Sequence, residues 1–390
     1  MTTVLLTLGR LPKALDLARG LAGAGCRVLV AEPFRRHLAG ASRHVARSIQ
    51  VPAPSAGKAA YLAALDGVIQ DEGVDLVVPV SEETMHVAFL RDRLTGRARL
   101  FTMPPDQVLA LHDKARFIVQ GEACGVSVPQ THPLGTPAAA ALAAERDVVV
   151  KPVFSCSGRG VRMLPRGAAL PVADPADPAI VQAFIPGQVH SSCSIAHGGR
   201  VLATVIYRGT VMQGTVAIAF QRVTAQPTIT AWIETFVAAV GWSGFISFDF
   251  VVDAAGQAHG IECNPRATSG VHFWQPLDVA GAILDPDRFG GPAGATVRVR
   301  PEAELQQFYS CLTETQMALF RRDGFLGRLR RLATTRDVTW DRQDPMPFLT
   351  MPVTSWRIIA MSIARRTTFG EVATLDVGWY EDRTQQLAKA

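Results

Sequence analysis

Lysine is rare in this sequence, and one lysine stands directly before a turn suited to phosphate binding. Only five of the 39 basic residues are lysines, namely Lys13, Lys58, Lys114, Lys151 and Lys389. Lys151 follows the apolar run 148–150, and a small-residue turn comes next with Ser155, Ser157, Gly158 and Gly160. Unhindered backbone N–H groups and one compact ammonium are what a phosphate requires. The pattern predicts a phosphate-binding loop, with a plain β-hairpin turn as the alternative.

Lys114 stands at the start of a second candidate segment, Leu111–Phe117. A lysine at a helix N-terminus adds to the positive end of the helix dipole, which is unfavourable unless an anion binds there. The segment therefore predicts a second contact to an anionic ligand. A solvated surface lysine is the alternative.

Two acidic residues and an amide could form a metal site. Two alternating apolar strands, 244–253 and 260–264, flank a polar turn and predict a hairpin on which Asp249 and Glu262 face each other. Opposed carboxylates repel unless a cation lies between them, and oxygen ligands from Asp249, Glu262 and Asn264 suit Mg²⁺. An ion pair between one of these carboxylates and Arg266 is the alternative.

The extended segment 180–187 ends in Pro186-Gly187 and could bind a flat heterocycle. Its backbone groups would bind the ring edge, while Phe184 and Ile185 would supply apolar walls. An ordinary strand end is the alternative.

The composition favours a soluble enzyme of two or three domains. Apolar residues make up 48% and charged residues 19% of the 390 residues, which excludes disorder, collagen and coiled coil. The net charge of +5 is modest and no long basic run occurs, so nucleic-acid binding is not expected. Six cysteines without a C-x-x-C pair indicate reduced thiols and a cytoplasmic location. No segment is long and apolar enough for a transmembrane helix, and the N-terminus lacks the features of a signal peptide.

Strands and helices alternate over the first hundred residues. Apolar runs at 4–8, 26–31 and 76–80 alternate with helical patterns at 13–24 and 62–71, which predicts an open parallel sheet. Ligands of such sheets bind at the carboxyl ends of the strands, here Gly9–Arg10 and Ser81–Glu83. Beyond Pro104 we expect one helix over 106–123, another over 137–144, and a β-rich region from 180 to 253 with one helix.

In this order, the four segments resemble the ATP-grasp superfamily, which includes biotin carboxylase and D-alanine–D-alanine ligase. The resemblance covers about residues 4–274, and its most specific part is Glu262-x-Asn264-Pro265-Arg266 with Asp249 upstream. It implies an N-terminal Rossmann-like α/β domain (1–102) and an ATP-grasp domain (103–300) with two α+β subdomains. The lid subdomain would span about 145–185, and a helical or mixed extension would follow over 301–390.

The resemblance also implies roles for individual residues. Lys114 and Lys151 would contact ATP phosphates and the loop Ser155–Gly160 would close over them, while Gln182–Ile185 would bind adenine. Asp249, Glu262 and Asn264 would hold Mg²⁺ or Mn²⁺, and Arg266 would steady the substrate carboxylate or the acyl phosphate. Members often have Glu at the position of Gln182 and another Glu where Val189 and His190 stand, so His190 is the replacement candidate for the ribose contact. Arg208 and Arg222 have no matching position in the family, but they lie in the β-rich stretch that would face the substrate, and Glu82 is a further substrate candidate.

The implied activity is an ATP- and Mg²⁺-dependent carboxylate–amine ligase that acts on small amino-acid-like substrates through an acyl phosphate. A carboxylate- or bicarbonate-activating carboxylase or kinase is the first alternative, and a non-catalytic nucleotide-binding module is the second.

The C-terminal extension is rich in arginine, with six in Arg321–Arg336. This pattern favours a helix that covers a core and keeps one basic face in solvent, and peripheral membrane contact or an acidic partner is the alternative. A homodimer is left open.

Overall fold

The described part of the chain folds around three β-sheets. A computed structural model describes residues 1–94, 96, 98–155, 158–290, 294–321 and 324–379. The predicted mixture of an α/β N-terminal region with α+β regions after it is confirmed.

The first sheet consists of parallel strands that alternate with helices. Its elements are β1 (Thr3–Leu6), α1 (Pro12–Gly23), β2 (Arg27–Glu32), β3 (Arg47–Gln50), α2 (Lys58–Asp71), β4 (Leu76–Val78), α3 (Thr84–Val87) and β5 (Arg99–Leu100). The strand order is β3-β2-β1-β4-β5, with every pair parallel. Because β1 and β4 are neighbours, the loops that follow them emerge side by side at the carboxyl edge of the sheet.

Two helices replace the single helix expected over 106–123. They are α4 (Pro105–His112) and α5 (Lys114–Ala123). The break occurs at Asp113, which has an extended backbone and accepts hydrogen bonds from the N–H groups of Ala115 and Arg116. The prediction was wrong because an Asp in this position caps a new helix rather than continuing the old one.

A small antiparallel sheet carries the predicted lid. Its elements are β6 (Thr131–Pro133), α6 (Pro137–Glu145), β7 (Val148–Pro152), β8 (Arg162–Leu164) and β9 (Ala179–Ala183), in the strand order β6-β9-β7-β8. Strands β7 and β8 form a hairpin, so the predicted phosphate loop is also the connection of a hairpin. The two interpretations of this segment are therefore compatible.

The large sheet contains the predicted acidic hairpin. Its first elements are β10 (Gln188–His197), β11 (Arg200–Gln213), β12 (Val216–Val223), α7 (Pro227–Val240), β13 (Gly244–Val252) and β14 (Ala258–Asn264), and α8 (Pro276–Leu284) follows. Trp232 and Phe236 on α7 pack against Phe248 and Phe250 on β13, which fixes one face of the hairpin. The opposite face is left for the site.

The C-terminal part adds strands to the same sheet and helices above it. Its elements are β15 (Glu304–Gln306), α9 (Phe308–Arg321), α10 (Phe325–Thr334), β16 (Arg336–Asp337), α11 (Met346–Leu349), α12 (Met351–Thr354), α13 (Trp356–Arg365) and α14 (Phe369–Ala373). The complete order of the sheet is β14-β13-β10-β11-β12-β15-β16. In the described ranges, no helix has the length and apolar character needed to cross a membrane.

Candidate active site

A cavity of about 1740 Å³ lies where the three sheets and the C-terminal helices meet. The N-terminal sheet contributes the loops after β1 and β4, and the lid sheet contributes β7 and β9. The large sheet contributes β13 and β14, and helices α9, α13 and α14 cover the remaining side. Among the residues predicted from sequence, those that line the cavity are Glu82, Lys151, Gly158, Gln182, Phe184, Ile185, Arg208, Asp249, Glu262, Asn264 and Arg266.

Lys151 lines the cavity as a buried ammonium without a carboxylate partner within 4 Å among the described residues. Its Nζ donates to Oε1 of Gln182 at 2.7 Å, and Gln182 donates in turn to the hydroxyl of Thr131. Burial lowers the pKa of Lys151 from 10.5 to about 8, and Glu262 opposes this effect. A buried cation held by a neutral amide is suited to receive an anionic ligand.

Lys114 lies behind the cavity wall and joins the lid to the acidic hairpin. Its Nζ donates to the carbonyl and hydroxyl oxygens of Ser155 at 3.0 and 3.2 Å and lies 3.5 Å from Oε1 of Glu262. Because Asp113 caps α5, the positive helix end next to Lys114 is already offset.

The predicted loop depends on its glycines. Gly158 and Gly160 adopt φ values of +67° and +74°, which favour glycine. A Cβ on Gly158 would lie 2.8 Å from Thr215, and one on Gly160 would lie 2.7 Å from Pro152. Gly158 lines the cavity, whereas Ser155 and Gly160 do not. Ser157 lies outside the described residues.

Asp249 and Glu262 are direct partners across the β13–β14 ladder, as predicted. The Asp249 carboxylate accepts hydrogen bonds from Ser191 at 2.6 Å and from the amide of Asn264 at 3.2 Å. Burial, followed by the charge of Glu262, raises the pKa of Asp249 to about 6. Two adjacent half-buried carboxylates fit a divalent cation with oxygen ligands such as Mg²⁺. The oxygen of Asn264 accepts a hydrogen bond from Arg266 at 2.8 Å, so its use as a metal ligand requires that contact to change.

Arg266 connects the large sheet to the N-terminal sheet through Glu82. The guanidinium forms a buried ion pair with Oε1 of Glu82, and the second oxygen, Oε2, has no hydrogen-bond partner in the described part of the chain. Burial alone would raise the pKa of Glu82, but Arg266, His112 and Lys13 outweigh burial and hold it below its ordinary value. The adjacent Glu83 instead accepts hydrogen bonds from Thr7, Val80 and Ser81, and so holds the loop itself.

Lys13 is a cavity residue to which the sequence assigned no chemistry. It lies in the first turn of α1, is 9% exposed, and donates from Nζ to the carbonyl oxygen of Ala267 at 2.8 Å. Within the described ranges it has no carboxylate within 4 Å, and α1 has neither a side-chain cap nor an acidic residue in its first turn. Its only sequence indication was the scarcity of lysine.

Like Lys114, Ser155 and Gly160, two further predicted residues, His190 and Arg222, do not line the cavity. His190 is buried, and its Nδ1 lies 3.1 Å from the carbonyl oxygen of Gln188. Strand alternation directs it away from the face of Ser191, and it does not line the cavity, so the structure does not support the predicted ribose contact. Arg222 pairs with Tyr207 across β11–β12 and does not line the cavity, and its Nε is buried without a described hydrogen-bond partner.

Arg208 and Phe184 line the cavity, but some of their polar groups already form hydrogen bonds within the protein. The Arg208 guanidinium donates to Gln221 on the neighbouring strand at 2.6 and 2.9 Å. The backbone N–H of Phe184 donates to the carbonyl oxygen of Asp147 at 3.0 Å. The apolar walls of Phe184 and Ile185 remain available to a flat ligand.

Comparison with protein families matches residues 112–270 to a family described as an ATP-grasp domain. Residues 112–270 are an ATP-grasp domain. The match includes both segments that carry Lys114 and Lys151 and the complete acidic hairpin, so the resemblance found in the sequence is confirmed. A comparison with curated protein sequences finds no significant match.

Solved structures share the fold of the ATP-grasp domain and of the sheet before it. N5-carboxyaminoimidazole synthetase from Staphylococcus aureus, complexed with ADP, has a TM-score of 0.57 at 13% identity, covering 76% of this chain and 79% of that chain. L-amino acid ligase from Bacillus licheniformis has a TM-score of 0.54 at 15% identity, covering 73% of this chain and 74% of that chain. A third structure is the biotin carboxylase domain of 2-oxoglutarate carboxylase from Hydrogenobacter thermophilus, in complex with MgADP and bicarbonate. Its TM-score is 0.58 at 15% identity, covering 76% of this chain and 70% of that chain. At these identities the similarity concerns the fold alone.

Proposed function

We propose that the protein is an ATP- and Mg²⁺-dependent ligase that joins a small carboxylate to an amine through an acyl phosphate. The proposal rests on one observation: a single cavity gathers Lys151, the Asp249–Glu262 pair and Arg266, and a second group of charges from the N-terminal sheet borders it. Lys151 and the two carboxylates suit a nucleoside triphosphate with its metal. Arg266 and the charges from the N-terminal sheet suit a small charged substrate.

In this proposal ATP lies between the lid sheet and the large sheet. Lys151 binds the transferred phosphate, Lys114 holds the base of the lid loop, and the apolar side chains of Phe184 and Ile185 flank the adenine. Asp249 and Glu262 would hold the metal, which neutralises phosphate charge when bound. Gln182 acts on Lys151, which it hydrogen-bonds, rather than on the base.

The substrate carboxylate lies between Arg266 and Lys13, which both donate to the carbonyl oxygen of Ala267, at 3.3 and 2.8 Å. Two cations that share one neutral acceptor form a favourable place for an oxyanion. A carboxylate oxygen attacks the γ-phosphorus, the bond to the β–γ bridging oxygen breaks, and ADP leaves. The nitrogen of the amine then forms the C–N bond as inorganic phosphate departs.

Glu82 suits an amine as the second substrate. Its Oε2 is a buried carboxylate oxygen without a described hydrogen-bond partner, and such an acceptor is costly unless a donor arrives. A protonated amine supplies that donor. Bicarbonate would take the place of the carboxylate rather than of the amine, so a carboxylase of the kind found among the structural relatives is the second candidate. A cytoplasmic location and a homodimer stay predictions.

The proposal is tested by ADP release from purified protein with ATP, Mg²⁺ and pools of L-amino acids and small carboxylic acids. We expect release that depends on the pool and on Mg²⁺, and that falls at least about a hundredfold in Lys151→Met, since one transition-state contact contributes about 3 kcal/mol. Lys58→Met, whose ammonium lies over the Phe89 ring, is the matched control. Release that is equal with and without every pool would contradict the proposal.

A further inference from the structure

A buried histidine–aspartate pair borders the cavity on the side of Arg266. His272 lies in the short helical turn Ser269–Phe273, six residues after Arg266, and is 3% exposed. Its Nδ1 lies 2.5 Å from Oδ2 of Asp16 on α1, and the other oxygen of Asp16 accepts a hydrogen bond from Arg300 at 2.8 Å. None of these three residues has a part in the binding of ATP or of the carboxylate described above.

The contact to Asp16 sets the tautomer of the imidazole. Burial alone would raise the pKa of Asp16, but Arg300 and the hydrogen bond from His272 outweigh it and hold the pKa below its ordinary value. Asp16 is therefore an ionised acceptor, and Nδ1 of His272 is the donor. In the neutral ring the lone pair then lies on Nε2.

His272 reaches the cavity, and Nε2 is its ring nitrogen with no described hydrogen-bond partner. His272 is one of the residues that line it, and Nε2 is neither hydrogen-bonded to a described residue nor sealed from solvent. Asp16 lies one turn after Lys13 on the same face of α1, and Lys13 contacts Ala267, the residue next to Arg266. The pair therefore stands on the wall that also carries the proposed carboxylate site.

We propose that His272, oriented by Asp16, is the general base that removes a proton from the incoming amine. The inference rests on the proposed ligase function. An amine reaches the site mostly as an ammonium ion, which has no lone pair to attack with. Nε2 takes the proton, and the freed nitrogen lone pair forms the C–N bond. The bond between the acyl carbon and the phosphate oxygen breaks, and inorganic phosphate leaves with the electron pair and with the second proton of the nitrogen. The imidazolium, stabilised by Asp16, later returns the first proton to solvent.

Comparing two nucleophiles distinguishes a general base from a residue that only maintains the structure of the site. Hydroxylamine is largely unprotonated at neutral pH, so it attacks an acyl phosphate without a base. The assay uses ATP, Mg²⁺ and a pool of the twenty L-amino acids and small carboxylic acids, with amides measured by mass spectrometry. A parallel reaction contains hydroxylamine, and hydroxamates are measured. His272→Asn keeps a donor for Asp16 but has no basic nitrogen.

We expect His272→Asn to lower amide formation at least a hundredfold and hydroxamate formation less than threefold. Asp16→Asn should act in the same direction. The matched control is His259→Asn, because His259 also pairs with an aspartate, Asp253, at 2.9 Å but does not line the cavity; both products should stay at the wild-type level.

An equal loss of both products in His272→Asn, or full retention of both, would overturn the assignment and leave the ligase function intact. If the wild-type protein forms neither product from any pool, the ligase function itself fails, and the base assignment fails with it.

Discussion

At the residue scale, the site is a set of buried charges of which only some have a partner in the protein. Arg266 has Glu82, and Lys114 has Glu262. Among the residues that the structure describes, Lys13 and Lys151 contact only neutral acceptors, Ala267 and Gln182. A buried ammonium without a counter-ion costs stability, and a bound anion would offset that cost.

Replacing Lys13 by methionine should therefore stabilise the free protein and weaken substrate binding. Burial, followed by Arg266, lowers the pKa of Lys13 from 10.5 to about 7. Between these values the unfolded chain binds the proton and the folded chain does not, so the contribution of Lys13 to stability improves as the pH rises from 7. The advantage of Lys13→Met in free energy of unfolding should shrink by up to about 1.4 kcal/mol per pH unit.

The measurement is urea unfolding of both proteins from pH 7 to 8.5, together with KM for the carboxylate found in the ADP screen. KM should rise at least about tenfold, or about 1.4 kcal/mol, while KM for ATP stays within twofold. Lys58→Met is the control for both readouts. A pH-independent difference in unfolding would contradict the buried, unpaired ammonium.

The sequence allowed the site residues to be predicted only where they form a specific motif. Asp249, Glu262 and Arg266 are recognisable because their spacing on a hairpin is fixed by strand alternation. Lys13 and Asp16 on α1 meet Ala267 and His272, which lie 254 and 256 residues further along the chain, so no local pattern could reveal these contacts. Glu82 and Glu83 are adjacent acids, and the sequence does not show which of them lines the cavity, because this depends on the geometry of the turn after β4.

At the scale of elements, helix α5 positions Lys114 through its cap. Asp113 accepts two backbone hydrogen bonds, at 2.8 and 3.0 Å, and so starts the helix at Lys114. The sequence predicted a helix start at Lys114, and this is confirmed, although a single helix was also expected over 106–123. Asp113 marks the break because Asp is a preferred N-cap residue.

Asp113→Ala should lower the free energy of unfolding by about 1 kcal/mol and raise KM for ATP severalfold, because Lys114 loses its fixed position under the lid. Chemical denaturation and ATP kinetics measure the two effects. Thr136→Ala removes the cap of α6, where the Thr136 hydroxyl accepts from Ala139 at 3.2 Å, and serves as control. If both variants change KM for ATP alike, the positioning role of α5 is wrong.

At the scale of the whole molecule, the C-terminal segment covers one side of the cavity and contacts the N-terminal sheet. Arg10, at the carboxyl edge of the first sheet, forms ion pairs with Glu32 and with Asp376 near the end of the described chain. Helices α13 and α14 line the cavity between these points. The extension was expected from composition to cover a core, but β15 and β16, which add it to the large sheet, are too short to show a strand pattern.

Asp376→Asn should loosen this closure, because it leaves the buried Arg10 guanidinium with one carboxylate. We expect a loss of about 1–3 kcal/mol and faster hydrogen exchange in 346–379, with little change in the first sheet. The control is Asp285→Asn, which removes an exposed ion pair with Arg288. Unchanged exchange in 346–379 would show that the Arg10–Asp376 pair does not hold the segment.

The central claim, that ATP activates a carboxylate before an amine displaces phosphate, is tested most directly by oxygen transfer. Purified protein is incubated with ATP, Mg²⁺ and amine and carboxylate pools in which every carboxylate carries ¹⁸O, and the released phosphate is analysed by mass spectrometry. We predict one ¹⁸O in each phosphate formed together with an amide. Amide formation with unlabelled phosphate, or ADP release into unlabelled phosphate alone, would contradict the account.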